Sequence, residues 1–339
     1  MTVDLSRLAE LVDDFPRQAV AVVGDFVADE FVGGDIARVS REAPVLILRH
    51  RETSVLPGGA ANAVANLATL GARVLPFGVV GDDAPGRALL ACFRAKGVSI
   101  RGVLALKGWP TTTKTRFLAG WTHTTRQQVL RVDREPPGEV PARARDAVVR
   151  GARAAVSSGA ALLVSDYGCG LVSPQLVRKL AGKLVTLDSR YALLDYADCG
   201  VAAATPNEPE LEALYHRRIG NDTAMLEQLG ARALRQMKLE ALLVTRGKDG
   251  MALFETRGKP QHIRVHGSEQ AVDVTGAGDT VIAVFTLALA AGATHLEAAR
   301  LANYAGGIVV MKRGTATVTR EELQAAIRSD LTGAPPPAK

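Results

Sequence analysis

The residues best suited to chemistry in this chain form one short run, Asp-Val-Thr-Gly-Ala-Gly-Asp-Thr at 273–280, followed directly by an apolar stretch of helical period, Val281–Ala291. Gly276 and Gly278 let consecutive amides, with Ala277 between them, turn toward one point at a helix N-terminus. That makes a concave anion site with the helix dipole behind it. Asp279 stands beside it. A carboxylate there is repelled by a bound phosphate unless it has a task, and taking the proton from an attacking hydroxyl is such a task. The plain alternative is a helix cap, since Asp is favoured at helix starts. The run is not a dinucleotide-binding fingerprint, because its third Gly would fall at Val281, and the chain contains no Walker A sequence.

The elements that must hold such a site are legible as short apolar runs, each ending in a polar or Gly-containing turn: Ala19–Gly24, Val74–Gly78, Ala161–Ser165, Leu184–Leu187, Val201–Thr205 and Ala241–Thr245. Segments of helical period such as Ala61–Leu70, Gly86–Lys96 and Arg143–Ser157 separate most of them. This alternation predicts an α/β protein with a mostly parallel sheet flanked by helices. Two stretches, about 30–55 and 108–135, carry alternating or β-branched pieces such as Pro-Val-Leu-Ile-Leu-Arg and no helical period, so a small antiparallel β element is expected there. In open parallel sheets the ligand crevice lies beyond the carboxyl ends of the strands. The residues to question are therefore Asp25, Asp29, the Gly58-Gly59-Ala-Ala-Asn62 turn, Asp166, Asp188, Arg190, Asn207, Glu210, the Thr245-Arg246-Gly247 turn and 273–279.

Composition narrows the function. With 339 residues, 47% hydrophobic and only 4% aromatic, the chain can bury a large aliphatic core. Its net charge of +6 is spread along the sequence, without a basic stripe interleaved with aromatics, which argues against nucleic acid and suits an anionic small substrate. Arg38, Arg126, Arg131 and Arg190 offer guanidinium forks that match phosphate geometry, although a solvated surface charge is the ordinary role of each. Cys92, Cys169 and Cys199 are odd in number and lack a CxxC pair, so buried thiols in a reducing compartment are expected. His262 and His266 fall in a strand-like stretch and are too far apart there to chelate easily. The first residues read as an amphipathic helix with Leu5, Leu8, Leu11, Val12 and Phe15 on one face, not as a signal peptide, and the apolar run 281–293 is too short to span a bilayer. A cytoplasmic protein without membrane contact is expected. The Pro-rich end, 331–339, is expected to be a disordered tail behind a single domain at 1–330.

The run at 273–280, with Pro-Gly-Gly-Ala-Ala-Asn at 57–62 and Thr-Pro-Asn-Glu-Pro-Glu at 205–210, resembles the ribokinase or phosphofructokinase-B sugar kinase family. Within it the chain is most similar to bacterial D-glycero-β-D-manno-heptose 7-phosphate kinases. That likeness rests on Gly24-Asp25-Phe-Val-Ala-Asp29, Arg38-Val-Ser-Arg-Glu-Ala-Pro44, Arg126-Gln-Gln-Val-Leu-Arg131-Val-Asp133 and Leu163-Val-Ser-Asp-Tyr-Gly168, and it extends over about residues 15–325.

The resemblance implies a ribokinase-like fold whose two irregular stretches build a β lid used for homodimer contacts. It implies ATP near Thr245, Arg246, Gly247 and Gly250, and Mg²⁺ organised partly through water by Asn207 and Glu210, which also fit a helix-capping box. A monovalent cation is left open. It implies Asp279 as base and a sugar or sugar phosphate held by Asp29, Gly58, Gly59, Asn62 and Asp166, with the arginines meeting a phosphate. The rival readings are another phosphohexose or a nucleoside as acceptor, and a kinase-derived sensor, which predicts a lost base or a ruined loop. Two departures fall near the acceptor. Asp188-Ser-Arg-Tyr191 stands where the heptose kinases read Asp-Pro-Lys-Gly, and the segment 119–125 is longer and more aromatic. Many such kinases are fused to a nucleotidyltransferase, and a separate protein is expected to supply that step here.

Overall fold

The computed structural model describes residues 3–121, 126–180, 182–267 and 270–332. In chain order the strands are β1 (Ala19–Gly24), β2 (Phe26–Val39), β3 (Leu46–Gly59), β4 (Arg73–Gly81), β5 (Val103–Leu106), β6 (Thr113–Gly120) and β7 (Gln127–Arg134). They continue with β8 (Ala161–Asp166), β9 (Val185–Ser189), β10 (Ala203–Ala204), β11 (Ala241–Thr245), β12 (Met251–Glu255) and β13 (Gln261–Ile263). The first five helices are α1 (Leu5–Asp13), α2 (Ala60–Thr69), α3 (Ala84–Ala95), α4 (Ala142–Ser157) and α5 (Pro174–Arg178). The others are α6 (Glu208–Tyr215), α7 (Thr223–Met237), α8 (Ala277–Ala290), α9 (His295–Val309) and α10 (Arg320–Thr332).

Nine strands form the main sheet in the order β13-β12-β11-β10-β9-β8-β1-β4-β5. It is parallel from β5 to β11, and β12 and β13 close one edge antiparallel. Its strands read as continuous apolar runs because both faces are covered. Val20 and Val22 of β1 and Leu243 of β11 pack on α1, α2, α3, α8, α9 and α10, whereas Ala21, Val23, Leu242 and Val244 pack on α4, α5, α6 and α7. The period of two thus splits the core into two layers.

The irregular stretches form a second sheet ordered β3-β2-β6-β7. It is mixed rather than antiparallel: β2 pairs antiparallel with β3 but parallel with β6, which pairs antiparallel with β7. The chain leaves β3 for α2, β4, α3 and β5 before returning, and a crossover of that kind delivers a parallel partner. Strands β2 and β3 root in the core at Phe26–Ala28 and Gly58–Gly59, and Phe26 meets Phe93 of α3 edge-on at 5.5 Å. Their outer halves project, and Val39, Val45 and Leu46 there and Val129, Leu130 and Val132 on β7 are exposed.

Several expectations are corrected. The strand at 261–263 ends before His266, so the two histidines part: His262 meets Glu227 at 2.9 Å and His266 stacks on Tyr304. No group of three or more His, Cys, Asp or Glu side chains placed to hold a metal occurs among the described residues. Only Cys199 is buried, with Cys92 and Cys169 half-buried. Helix α10 takes in residues 331 and 332, and the remainder of the expected tail, 333–339, lies outside the described residues, as do 122–125 of the aromatic lid segment. Among the described residues no helix is long and apolar enough to cross a membrane.

Candidate active site

Helix α8 begins where the 273–280 run turns. Gly276 is its N-cap at φ +77°, in the left-handed region, and a Cβ there would come within 2.4 Å of Asn62 Nδ2. At Gly278 a Cβ would meet nothing within 4 Å, so that side is open to a ligand. The amides of Gly278 and Asp279 lie in the first turn, where a helix provides no carbonyl partner. The amide of Ala277 donates instead to Val274 O at 3.2 Å. Asp273 shapes the approach, accepting from the amides of Thr275 and Gly314 at 2.9 Å each.

Asp279 is not the cap of this helix. It sits two residues inside the first turn, is 3% exposed, and takes hydrogen bonds from outside its own helix: Tyr167 OH donates to Oδ1 at 2.7 Å and Asn62 Nδ2 to Oδ2 at 3.1 Å. Desolvation raises its pKa to about 7, against the lowering effect of those two donors. Asn62 is not a cap either. Its amide also donates to Gly276 O at 3.1 Å, and Asn66 Nδ2 donates to its Oδ1 at 3.1 Å, so α2 is tied to the turn before α8.

Asp279 and Gly278 open on a cavity whose other walls include Asp188, Arg190, Asn207, Glu210 and Thr245. Asn207 and Glu210 form the expected capping box at α6: Glu210 N donates to Asn207 Oδ1 at 2.8 Å and Asn207 N to Glu210 Oε2 at 2.9 Å. Asp188 lies in the cavity floor with its pKa pushed well above the carboxylate range, first by desolvation and then by Asp279 and Glu210. Thr245 also lines a neighbouring, largely apolar cleft with Gly247, Gly250, Met251, Val281 and Asn303, which has the character of a site for a flat heterocycle. Gly250, at φ +79°, is required there because a Cβ would strike Ile263 O. Arg246 turns away, with Nε held by Glu208 Oε2 at 2.7 Å.

The lid supplies the other side. Asp29 on β2 is buried and ion-paired with Arg116 of β6. A Cβ at Gly58 would lie 2.3 Å from Asp29 Oδ2, and Gly59 at φ +54° turns the chain into α2, so the glycine pair makes room for that carboxylate. Lys114 lies 5.1 Å from the centre of the Tyr167 ring, and its pKa is lowered by burial and then by Arg190. Arg131 is held by Asp133 at 2.5 and 2.7 Å on the same sheet. Neither Lys114 nor Arg190 is held by a carboxylate at ion-pair distance among the described residues.

Three expected acceptor residues lie elsewhere. Asp166 is enclosed, accepting from Gly168 N at 3.0 Å, Ser189 Oγ at 3.0 Å and Tyr196 OH at 2.7 Å, and is a structural hub. Arg126 is ion-paired with Glu52 and with Asp35, out along the lid. Arg38 is exposed on the outer half of β2, nine residues beyond Asp29, or about 30 Å at strand rise. Sequence reasoning points to the turn that holds Tyr167 without giving the residue a role, and gives none to Lys114 or Arg116. The alternation Thr-Lys-Thr-Arg at 113–116 places the two cations on one face of a strand, which was a usable signal.

The fold and the sequence are those of a sugar kinase family. A model of the pfkB family carbohydrate kinases matches residues 18–322, and the chain belongs to that family. Bifunctional protein HldE of Desulfatibacillum aliphaticivorans is 41% identical over 93% of this chain and 64% of its own length. The HldE of Mesorhizobium japonicum is 39% identical over 92% and 62%. The chain thus spans less than two thirds of these relatives. The structure of Arabidopsis thaliana ribokinase complexed with ribose and ATP superposes with a TM-score of 0.72 at 22% identity, covering 92% of this chain and 99% of that one. The protein is a pfkB family carbohydrate kinase with a ribokinase-like α/β fold.

Proposed function

We propose that the enzyme phosphorylates a sugar that already carries a phosphate, transferring the γ-phosphoryl group of ATP to the C1 hydroxyl of D-glycero-D-manno-heptose 7-phosphate. One observation carries the choice: Lys114 and Arg190 repel one another near the Tyr167–Asp279 pair, and neither lies within ion-pair distance of a carboxylate among the described residues. Two like charges close together in a half-buried place are costly unless an anion joins them. A nucleoside gives them nothing to bind. The relatives named HldE and the likeness to heptose 7-phosphate kinases support the heptose.

Asp279 takes the proton of the acceptor hydroxyl as its oxygen bonds to the γ-phosphorus, and the bond to the β–γ bridging oxygen breaks to release ADP. The amides of Gly278 and Asp279, with the dipole of α8, face the charge on the transferring group. Asp29, fixed by Arg116, meets acceptor hydroxyls. The apolar cleft beside Thr245 and Gly250 takes the adenine.

A divalent cation fits the cavity: Glu210, Asp188 and the Asn207 amide oxygen are hard oxygen donors, and Thr205 Oγ1 on its wall is buried with no hydrogen-bond partner among the described residues. Mg²⁺ retains much of its water, so these residues would hold it largely through water and phosphate, where it would offset phosphate charge. The deciding experiment compares kcat/KM for heptose 7-phosphate, free heptose, fructose 6-phosphate, ribose and adenosine. Preference for heptose 7-phosphate is expected. A free sugar used as well as its phosphate would refute the phosphate-binding reading.

A further inference from the structure

Resting on Asp279 as the base, we propose that Tyr167 is a positioning residue of the reaction, its hydroxyl holding Oδ1 of Asp279 in the orientation that receives the substrate proton. The hydroxyl donates to Oδ1 at 2.7 Å while Asn62 donates to Oδ2 at 3.1 Å. A carboxylate has about four acceptor positions. One neutral donor on each oxygen therefore fixes the plane of the group and leaves each oxygen able to accept from an incoming hydroxyl.

Both donors are anchored. Asp25 accepts from the amides of Tyr167 and Cys169 at 2.9 and 3.0 Å, which pins the turn after β8, and Asn66 holds Asn62. The phenol also remains a donor throughout the working range, because burial and the Asp279 charge push its pKa well above 10. A cation in its place would hold the carboxylate too, but would depress its basicity far more.

The charged groups around this pair come from several elements. Asp29 on β2 and Lys114 on β6 act on Asp279, and Asp188 and Arg190, from β9 and the residue after it, act on Tyr167. Asn62 on α2 is neutral. Of all these, Tyr167 and Asn62 donate hydrogen bonds to the carboxylate itself, and Tyr167→Phe removes one hydroxyl while retaining the ring that lies against Gly59 and under Lys114.

The test labels aspartate with an NMR-active isotope at the side-chain carboxyl carbon and titrates wild type and Tyr167→Phe, with Asp279→Asn assigning the resonance. Loss of a donor to the charged form raises the midpoint, which burial pushes up to about 7 in the wild type; a rise of about one pH unit, tenfold in proton affinity, is expected. The acid limb of kcat/KM for heptose 7-phosphate moves with it, while MgATP affinity holds. An unmoved midpoint with only a lowered Tm would overturn the proposal and leave Tyr167 a packing residue. Absence of turnover with heptose 7-phosphate would refute the acceptor reading instead, and the titration, which needs no acceptor, still decides the role of Tyr167.

Discussion

Replacing Asp279 by Asn separates a catalytic base from every structural role, because the two consequences have opposite signs. General-base catalysis is worth about 10²–10⁴-fold, so kcat should fall by that range with little change in ATP affinity. Stability should rise. The folded pKa, lifted from 3.8 to about 7 by desolvation, means that the fold favours the neutral acid: that contribution is complete below pH 3.8 and is lost as pH rises through about 7. Above pH 7 the ionised carboxylate costs the fold about 4 kcal/mol, an upper bound. Asn carries no charge, but it presents one oxygen to two donors, so either Tyr167 or Asn62 loses its acceptor, which costs about 1–2 kcal/mol. The net gain of about 2 kcal/mol corresponds to a Tm higher by about 3 °C for a chain of this length at pH 8, and it reverses sign toward pH 4, where the charge cost of the wild type is gone and the lost acceptor of the variant remains. Kinetics with a sugar phosphate and calorimetry across pH 4–8 read both effects. Full activity in the variant would refute the base, and a lower Tm at pH 8 would refute the desolvation argument.

The acid limb of kcat/KM for the wild-type enzyme should lie near pH 7, with activity lost as pH falls and Asp279 protonates; a limb near pH 4 would contradict the burial described for it. Gly276→Ala should cost about 1–3 kcal/mol and most of the activity, since a side chain at φ +77° is strained and also strikes Asn62; chemical denaturation and kinetics check it, and a silent variant would contradict the geometry. Lys114→Met should raise KM for a sugar phosphate about tenfold or more while leaving KM for ATP within about twofold, read by initial rates. The exposed apolar side chains of the lid should pair two copies, and Leu130→Glu should shift light scattering at micromolar concentration from dimer to monomer; a wild-type monomer would refute the lid contact.

What the sequence made legible is what local physics decides. Apolar runs such as Ala241–Thr245 became strands, and Asn207 with Glu210 became a capping box, because burial on both faces and the first turn of a helix each leave a short-range signature. Asn62 was singled out, but its role was not readable, since its partners lie more than two hundred positions away. The same applies to Arg116, whose worth depends on Asp29 lying across a parallel pairing, and to Asp166, whose enclosure by Ser189 and Tyr196 only the fold creates. Arg126 looked like a phosphate ligand because a guanidinium does not announce its partner, and Glu52 and Asp35 claim it.

The two sheets also divide the site by origin. Asp29, Lys114, Arg116 and Arg131 come from the lid, whereas Asp279, Asn207, Glu210 and Thr245 come from the strand ends and helix starts of the main sheet. The two groups share few covalent neighbours and meet through charge, Asp29 and Lys114 on Asp279 and Arg116 on Asp273, so side chains on β2, β6 and β7 can be varied while the residues of the turn that opens α8 are kept. A family built this way can change diet by redrawing one face of a small sheet while inheriting its phosphoryl-transfer parts intact, and a randomised library confined to Lys114, Arg116 and Arg131 is the natural place to redirect this enzyme to a new sugar.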